Sequence, residues 1–189
     1  MIKSKILLHA CCAPCLTAAH DRLKSEYDID IVWYNPNIYP VDEEKKRLAE
    51  LRRYAGEVKA NLIELPCNDD DIVEWKQSVV SFAHLPEGQR RCSECIYFRL
   101  NKMTKFAKKE KYKRVATTLT VSPKKSAILV NNALKKSSIN AGLEYIEADF
   151  KKQNGYLKSI ELSKAHNLYR QNYCGCEYSL SESKQKHEI

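Results

Sequence analysis

Short apolar runs alternate with longer stretches in which apolar residues recur at helical spacing. The runs Ile6–Ala10, Ile29–Tyr34, Leu62–Leu65, Arg114–Leu119 and Leu143–Glu147 have the length and composition of buried strands. Between them, Asp42–Lys59 carries Leu48, Leu51, Ala55 and Val58 on one face, with Asp42 placed to cap the helix. Ser93–Glu110 carries Ile96, Leu100, Met103 and Ala107, with Ser93 as the cap. Ser122-Pro123 reads as cap and first residue of a helix bearing Ala127, Val130 and Leu134. Pro14 opens an earlier helix that buries Leu16, Ala19 and Leu23, and the polar tail from Glu182 reads as a frayed helix. Strand–helix alternation of this kind predicts one α/β domain over residues 1–189, with a mainly parallel sheet of about five strands. The first strand ends at Ala10, so Cys11 and Cys12 fall at a strand's carboxyl end, the edge where open α/β sheets bind ligands.

Cysteine usage changes the picture most. Of eight cysteines, seven fall in three tight groups: Cys11-Cys12-Ala13-Pro14-Cys15, Cys92-Ser93-Glu94-Cys95 and Cys174-Gly175-Cys176. Cys67 stands apart after Pro66 and reads as a small buried residue. Each group lies at a loop or helix start, where backbone N–H groups and the helix dipole favour thiolates, the form that binds iron or zinc. Four thiolates complete one tetrahedral zinc or one [4Fe–4S] cluster, which leaves three for another task. Cys174 and Cys176 have two readings, ligands of a second metal or a redox dithiol, with Gly175 giving the backbone freedom for a strained disulfide. A purely zinc-held module is the competing reading.

The N-terminus imitates an export signal, with Lys3 and Lys5 before Ile6-Leu7-Leu8. Its apolar core is only three residues long, far short of the roughly 7–15 required, which predicts a cytoplasmic protein. No apolar run approaches the roughly 20 residues of a membrane span. The formal charge of +8, from 32 basic and 24 acidic residues, suits an anionic partner such as nucleic acid, or else a lysine-rich surface serving solubility.

The strings LLHACCAPC (7–15), YNPNIYP (34–40), RCSEC (91–95), TTLTVSPKK (117–125) and YRQNYCGC (169–176) resemble, in order and spacing, those of the QueH family of cobalamin-independent epoxyqueuosine reductases. The resemblance implies a Rossmann-like three-layer fold similar to the adenine nucleotide α-hydrolases. It implies a [4Fe–4S] cluster on Cys11, Cys12, Cys92 and Cys95. Beside it come Cys15, Cys174 and Cys176, as ligands of a single iron or, for the last two, as a dithiol. The substrate implied is the anticodon loop of a tRNA carrying epoxyqueuosine, with an unidentified electron donor. ATP is not expected, because His9-Ala10-Cys11-Cys12 replaces the glycine-rich phosphate loop of the ATP-using relatives. A zinc- or cluster-containing tRNA-binding protein and a tRNA thiolase are the alternatives. Tyr34, Asn35, Lys124, Lys125 and Arg170 are expected to meet the tRNA, with Arg90, Arg91, Tyr39, Tyr169 and Tyr173 near them. Tyr34, His9 and Tyr173 are the candidate proton donors.

Overall fold

A computed structural model describes residues 3–185. Five parallel strands, β1 (Ser4–His9), β2 (Tyr27–Trp33), β3 (Asn61–Glu64), β4 (Arg114–Thr117) and β5 (Glu144–Tyr145), form one sheet in the order β3-β2-β1-β4-β5. The central strand β1 is paired on both sides: Leu8 sits opposite Ile31 of β2 and Ala116 of β4. Its run Ile6-Leu7-Leu8 is fully buried, as a parallel strand covered on both faces must be. Two groups of helices flank the sheet. On one side α1 (Ala13–Leu23) packs against α2 (Val41–Glu57) and α6 (Gly155–Ala165). On the other, α4 (Arg90–Lys109) packs against α3 (Asp69–Val80) and α5 (Ala127–Ala141). The described part of α7 covers Glu177–Gln185, so the tail helix starts before Glu182.

All five predicted strands are present, with shifted ends. β4 stops at Thr117, and Thr118–Val121 turn into a 3-10 helix in place of the expected strand continuation through Leu119. The predicted caps also move. Gln89, not Ser93, caps α4, because the Gln89 carbonyl already accepts from Cys92 N at 2.9 Å and Ser93 N at 3.2 Å. Ser126 rather than Ser122 caps α5, its hydroxyl accepting from Leu129 N, while Ser122–Lys125 form a turn. Pro40 precedes α2, which places Asp42 in its first turn. Sequence reading missed α3 and α6 altogether.

The strand order reverses between β1 and β4, and the crevice beyond their carboxyl ends is where open α/β sheets hold ligands. His9 closes β1 opposite Thr117, and its Nδ1 lies 3.1 Å from Thr117 Oγ1. Among the described residues, no helix is long and apolar enough to cross a membrane.

Candidate metal centre

Three segments far apart in the chain deliver their cysteines to this crevice. Cys11 and Cys12 occupy the turn from β1 to α1, and Cys15 lies in the first turn of α1. Their three sulfurs lie within 4.8 Å of one another and all three residues are buried. Cys92 and Cys95 sit in the first two turns of α4, and Cys174 and Cys176 lie just before α7. The last four line one small cavity of about 30 Å³. A larger cavity of about 110 Å³ beside it is lined by Cys11, Cys15 and again Cys174, so Cys174 borders both. The sequence partition, Cys11, Cys12, Cys92 and Cys95 against Cys15, Cys174 and Cys176, cuts across these two spatial groups. All eight cysteines are free thiols in the structure, with no bond between Cys174 and Cys176. Cys67 is exposed, which corrects the expectation of a buried residue: it follows β3 in a loop that leaves the sheet.

The thiols differ in acidity. Cys11 is held well below its ordinary value by hydrogen bonds from Cys12 and Cys15, aided by the charges of Lys125 and Arg99. Cys12 is pushed up to about 12 by sharing that network, and Cys15 rises as well. Burial pushes Cys95 up to about 12 and raises Cys92 and Cys176. Here desolvation outweighs the helix-terminus field that sequence reasoning had favoured, even though Gly88 N donates to Cys92 Sγ at 3.2 Å and Ser179 N to Cys176 Sγ at 3.4 Å. A coordinating cation would deprotonate such thiols outright.

The surroundings fit an anionic metal–thiolate group. Arg99 is buried, and its hydrogen bonds go to neutral atoms: Asn35 Oδ1 at 3.0 Å and Cys95 O at 3.4 Å. A buried guanidinium needs a counter-charge, and the groups that raise its pKa against burial are Cys95, Cys11, Cys174 and Cys176. Lys125 is likewise raised by Cys174, Cys11 and Cys15 against the pull of burial. Arg47, also buried, pairs with Glu43 at 2.7 Å and donates to Cys174 O at 2.9 Å and Tyr173 O at 3.2 Å. Arg91 is interior too: it donates to Ala83 O and Glu182 Oε1, tying the start of α4 to α7.

The residues expected to meet RNA divide in two. Lys124 and Arg170 are exposed and Lys125 is half-buried, and all three line the larger cavity. Tyr34 and Asn35 are interior. The Tyr34 hydroxyl donates to Asp71 at 2.8 Å, and the Asn35 side chain bridges Ala10 O and Arg99. Both are framework behind the site rather than a surface open to a base. Among the remaining aromatics, Tyr39 is exposed, Tyr169 donates to Glu43, and the Tyr173 hydroxyl donates to Tyr39 O.

None of the three named proton donors carries a free proton into the cavities. Tyr34 and Tyr173 have spent theirs, and Tyr173 is pushed up to about 12, by burial first. Burial and the neighbouring Arg99 push His9 down to about 4, so it is neutral near pH 7. Sequence reading missed Arg47, Arg99, Glu87 and Gln171. Glu87 lines both cavities with one carboxylate oxygen buried and unpartnered. Gln171 lay inside one of the matched strings without being singled out.

The family described as Epoxyqueuosine reductase QueH matches residues 6–182. The chain is 35% identical over 184 residues to an epoxyqueuosine reductase QueH of Thermotoga maritima, covering 96% of this chain and 93% of that one. An epoxyqueuosine reductase QueH of Streptococcus pyogenes serotype M1 is 33% identical over 181 residues, covering 94% and 71%. Among solved structures, the U34-tRNA thiolase NcsA from Methanococcus maripaludis with its [4Fe-4S] cluster superposes with a TM-score of 0.55 at 12% identity. That alignment takes in 95% of this chain and spans 62% of the thiolase chain; the likeness is one of fold.

Proposed function

This chain belongs to the epoxyqueuosine reductase QueH family, and from that membership we propose that it reduces epoxyqueuosine to queuosine in tRNA. The reaction takes two electrons and two protons: both C–O bonds of the epoxide break, a carbon–carbon double bond forms, and the oxygen leaves as water. One observation carries the reading to the site. Thiols from three distant segments converge at the carboxyl edge of the sheet around Arg99, a buried cation whose own hydrogen bonds are all to neutral atoms.

In this proposal Cys11, Cys12, Cys92 and Cys95 hold a [4Fe–4S] cluster, and Cys15, Cys174 and Cys176 form the adjoining group, as ligands of a single iron or as a Cys174/Cys176 dithiol. When bound, the cluster supplies electrons one at a time. The chain's own residues do the rest. Arg99 and Lys125 hold negative charge on the sulfurs. Lys124, Lys125 and Arg170 draw the anticodon backbone to the mouth of the larger cavity, where an unstacked base enters beside Cys15 and Cys174. Tyr34 and Asn35 keep the strand ends fixed behind it. The electrons come from an external donor, and the protein works in the cytoplasm without ATP or cobalamin.

The test is anaerobic purification with iron, sulfide and zinc analysis, followed by assay on tRNA carrying epoxyqueuosine. A brown protein whose visible absorption bleaches on reduction, and which forms queuosine without ATP, is the expected result. Colourless protein with stoichiometric zinc, or a requirement for ATP, would overturn it. Cys174→Ser and Cys176→Ser should retain the cluster spectrum and lose activity. If the adjoining group holds iron, Cys15→Ser and the Cys174/Cys176 double variant should each lose about one iron per chain. If it is a dithiol, iron stays constant and Cys15→Ser is nearly silent.

A further inference from the structure

Gln171 is held over the first cysteine group by its neighbours on both sides. Arg170 donates to Ser159 O at 3.0 Å and to Ser163 Oγ at 2.9 Å, which pins the chain to α6. Lys124 Nζ donates to Asn172 O at 3.2 Å and pins it again two residues on. Between these anchors, Gln171 Nε2 donates to Cys12 Sγ at 3.0 Å. The other end of the same amide, Oε1, is buried and receives no hydrogen bond from the protein. Gln171 forms part of the wall of the larger cavity, beside Cys11 and Cys15.

An N–H directed at a ligating sulfur stabilises the more negative, reduced state of an iron–sulfur centre and so raises its potential. A buried acceptor left unmet is costly, and such atoms in native proteins call for a working partner. We propose that Gln171 is a positioning residue with two ends: its N–H sets the potential of the centre that Cys12 holds, and its carbonyl accepts an O–H or N–H of the substrate. The second half rests on the reductase reading above; the first rests only on Cys12 being a ligand of the cluster proposed there.

Two variants separate the halves in the cluster-loaded protein. Gln171→Leu removes donor and acceptor, whereas Gln171→Glu keeps an acceptor oxygen and loses the donor. Redox titration of the visible absorption should show a lower midpoint potential in both. Steady-state assay on tRNA carrying epoxyqueuosine should show KM raised about fivefold in the leucine variant, the loss of one ordinary hydrogen bond. In the glutamate variant KM should stay within about twofold of wild type. A wild-type potential in Gln171→Leu would overturn the donor role, because the carboxylate of Gln171→Glu lowers the potential by its charge alone, and an unchanged KM in Gln171→Leu would overturn the acceptor role. Shifted potentials in a protein that leaves epoxyqueuosine untouched would sink the reductase reading and the acceptor role with it, while supporting the donor role.

Discussion

Arg47 fastens the late cysteine loop to the body of the protein. Its guanidinium, 1% exposed, joins Glu43 to the carbonyls of Tyr173 and Cys174, which lie 126 and 127 residues further along the chain. Removing it strips a largely buried carboxylate of its counter-charge, with only the Tyr169 hydroxyl left to it, and leaves two carbonyls without a partner, so Arg47→Met should destabilise by about 3–5 kcal/mol, measured by urea unfolding. Gly175 is part of the same arrangement. At φ +132 it holds a backbone conformation that favours glycine, and a Cβ there would stand 2.9 Å from Arg47 Nη1. Cys67 marks the opposite extreme. It is exposed and away from the site, so Cys67→Ala should change stability by no more than about 0.5 kcal/mol and leave iron content as in wild type. The two residues also show what the sequence hides. An arginine in an amphipathic helix reads as solvated, and only the return of a segment over a hundred residues away buries it. A lone cysteine after a strand reads as core until the loop's course is known.

At the scale of elements, α4 carries the clearest signal and the most chemistry. Ile96, Leu100, Met103 and Ala107 form the buried stripe, and the Cys92/Cys95 pair one turn apart was legible from spacing only as a candidate pair, given weight by the other two cysteine groups. The missing helices were hidden for different reasons. In α3 the cluster Asn68-Asp69-Asp70-Asp71 resembles a polar loop, yet it is a start signal: Asn68 Oδ1 accepts from Asp71 N, and Asp71 accepts from Asn68 N. Asn68→Ala should therefore cost about 1 kcal/mol, a fall of about 2–4 °C in Tm. α6 buries Gly155, Ser159 and Ser163, so its inner face has no apolar period to read. Asp71 also links α3 to Lys102 of α4 and to Tyr34. Burial alone would raise its carboxyl, but Lys102, the Asn68 N–H and Tyr34 overcome this and hold it below its ordinary 3.8. Its contribution is complete above that value and lost as the pH falls through the lower folded-state value. Acid unfolding followed by tryptophan fluorescence should show this loss, and Asp71→Asn should flatten it.

For the whole molecule, the excess of 32 basic over 24 acidic residues becomes useful only where some of it faces the site. Lys124 and Arg170 do, beside Cys15 and Cys174. Binding of tRNA should weaken steeply as salt rises, and Lys124→Ala should reduce the slope of log affinity against log salt by roughly one contact, about 0.7–0.9, in a titration by fluorescence anisotropy. The parallel sheet and the carboxyl edge that holds the crevice were readable from strand–helix alternation, whereas the strand order was not. Nor was the grouping of the seven cysteines in space, since it depends on how the segment after α6 crosses back over the strand ends. That crossing has a consequence for timing. Chains emerge from the ribosome N-terminus first, and all five strands precede Cys174 and Cys176. A nascent chain can thus pair β1 with β2 around Cys11 and Cys12 before the last two thiols reach the crevice, so if Cys174 and Cys176 are ligands, the set is completed only late in synthesis or after release.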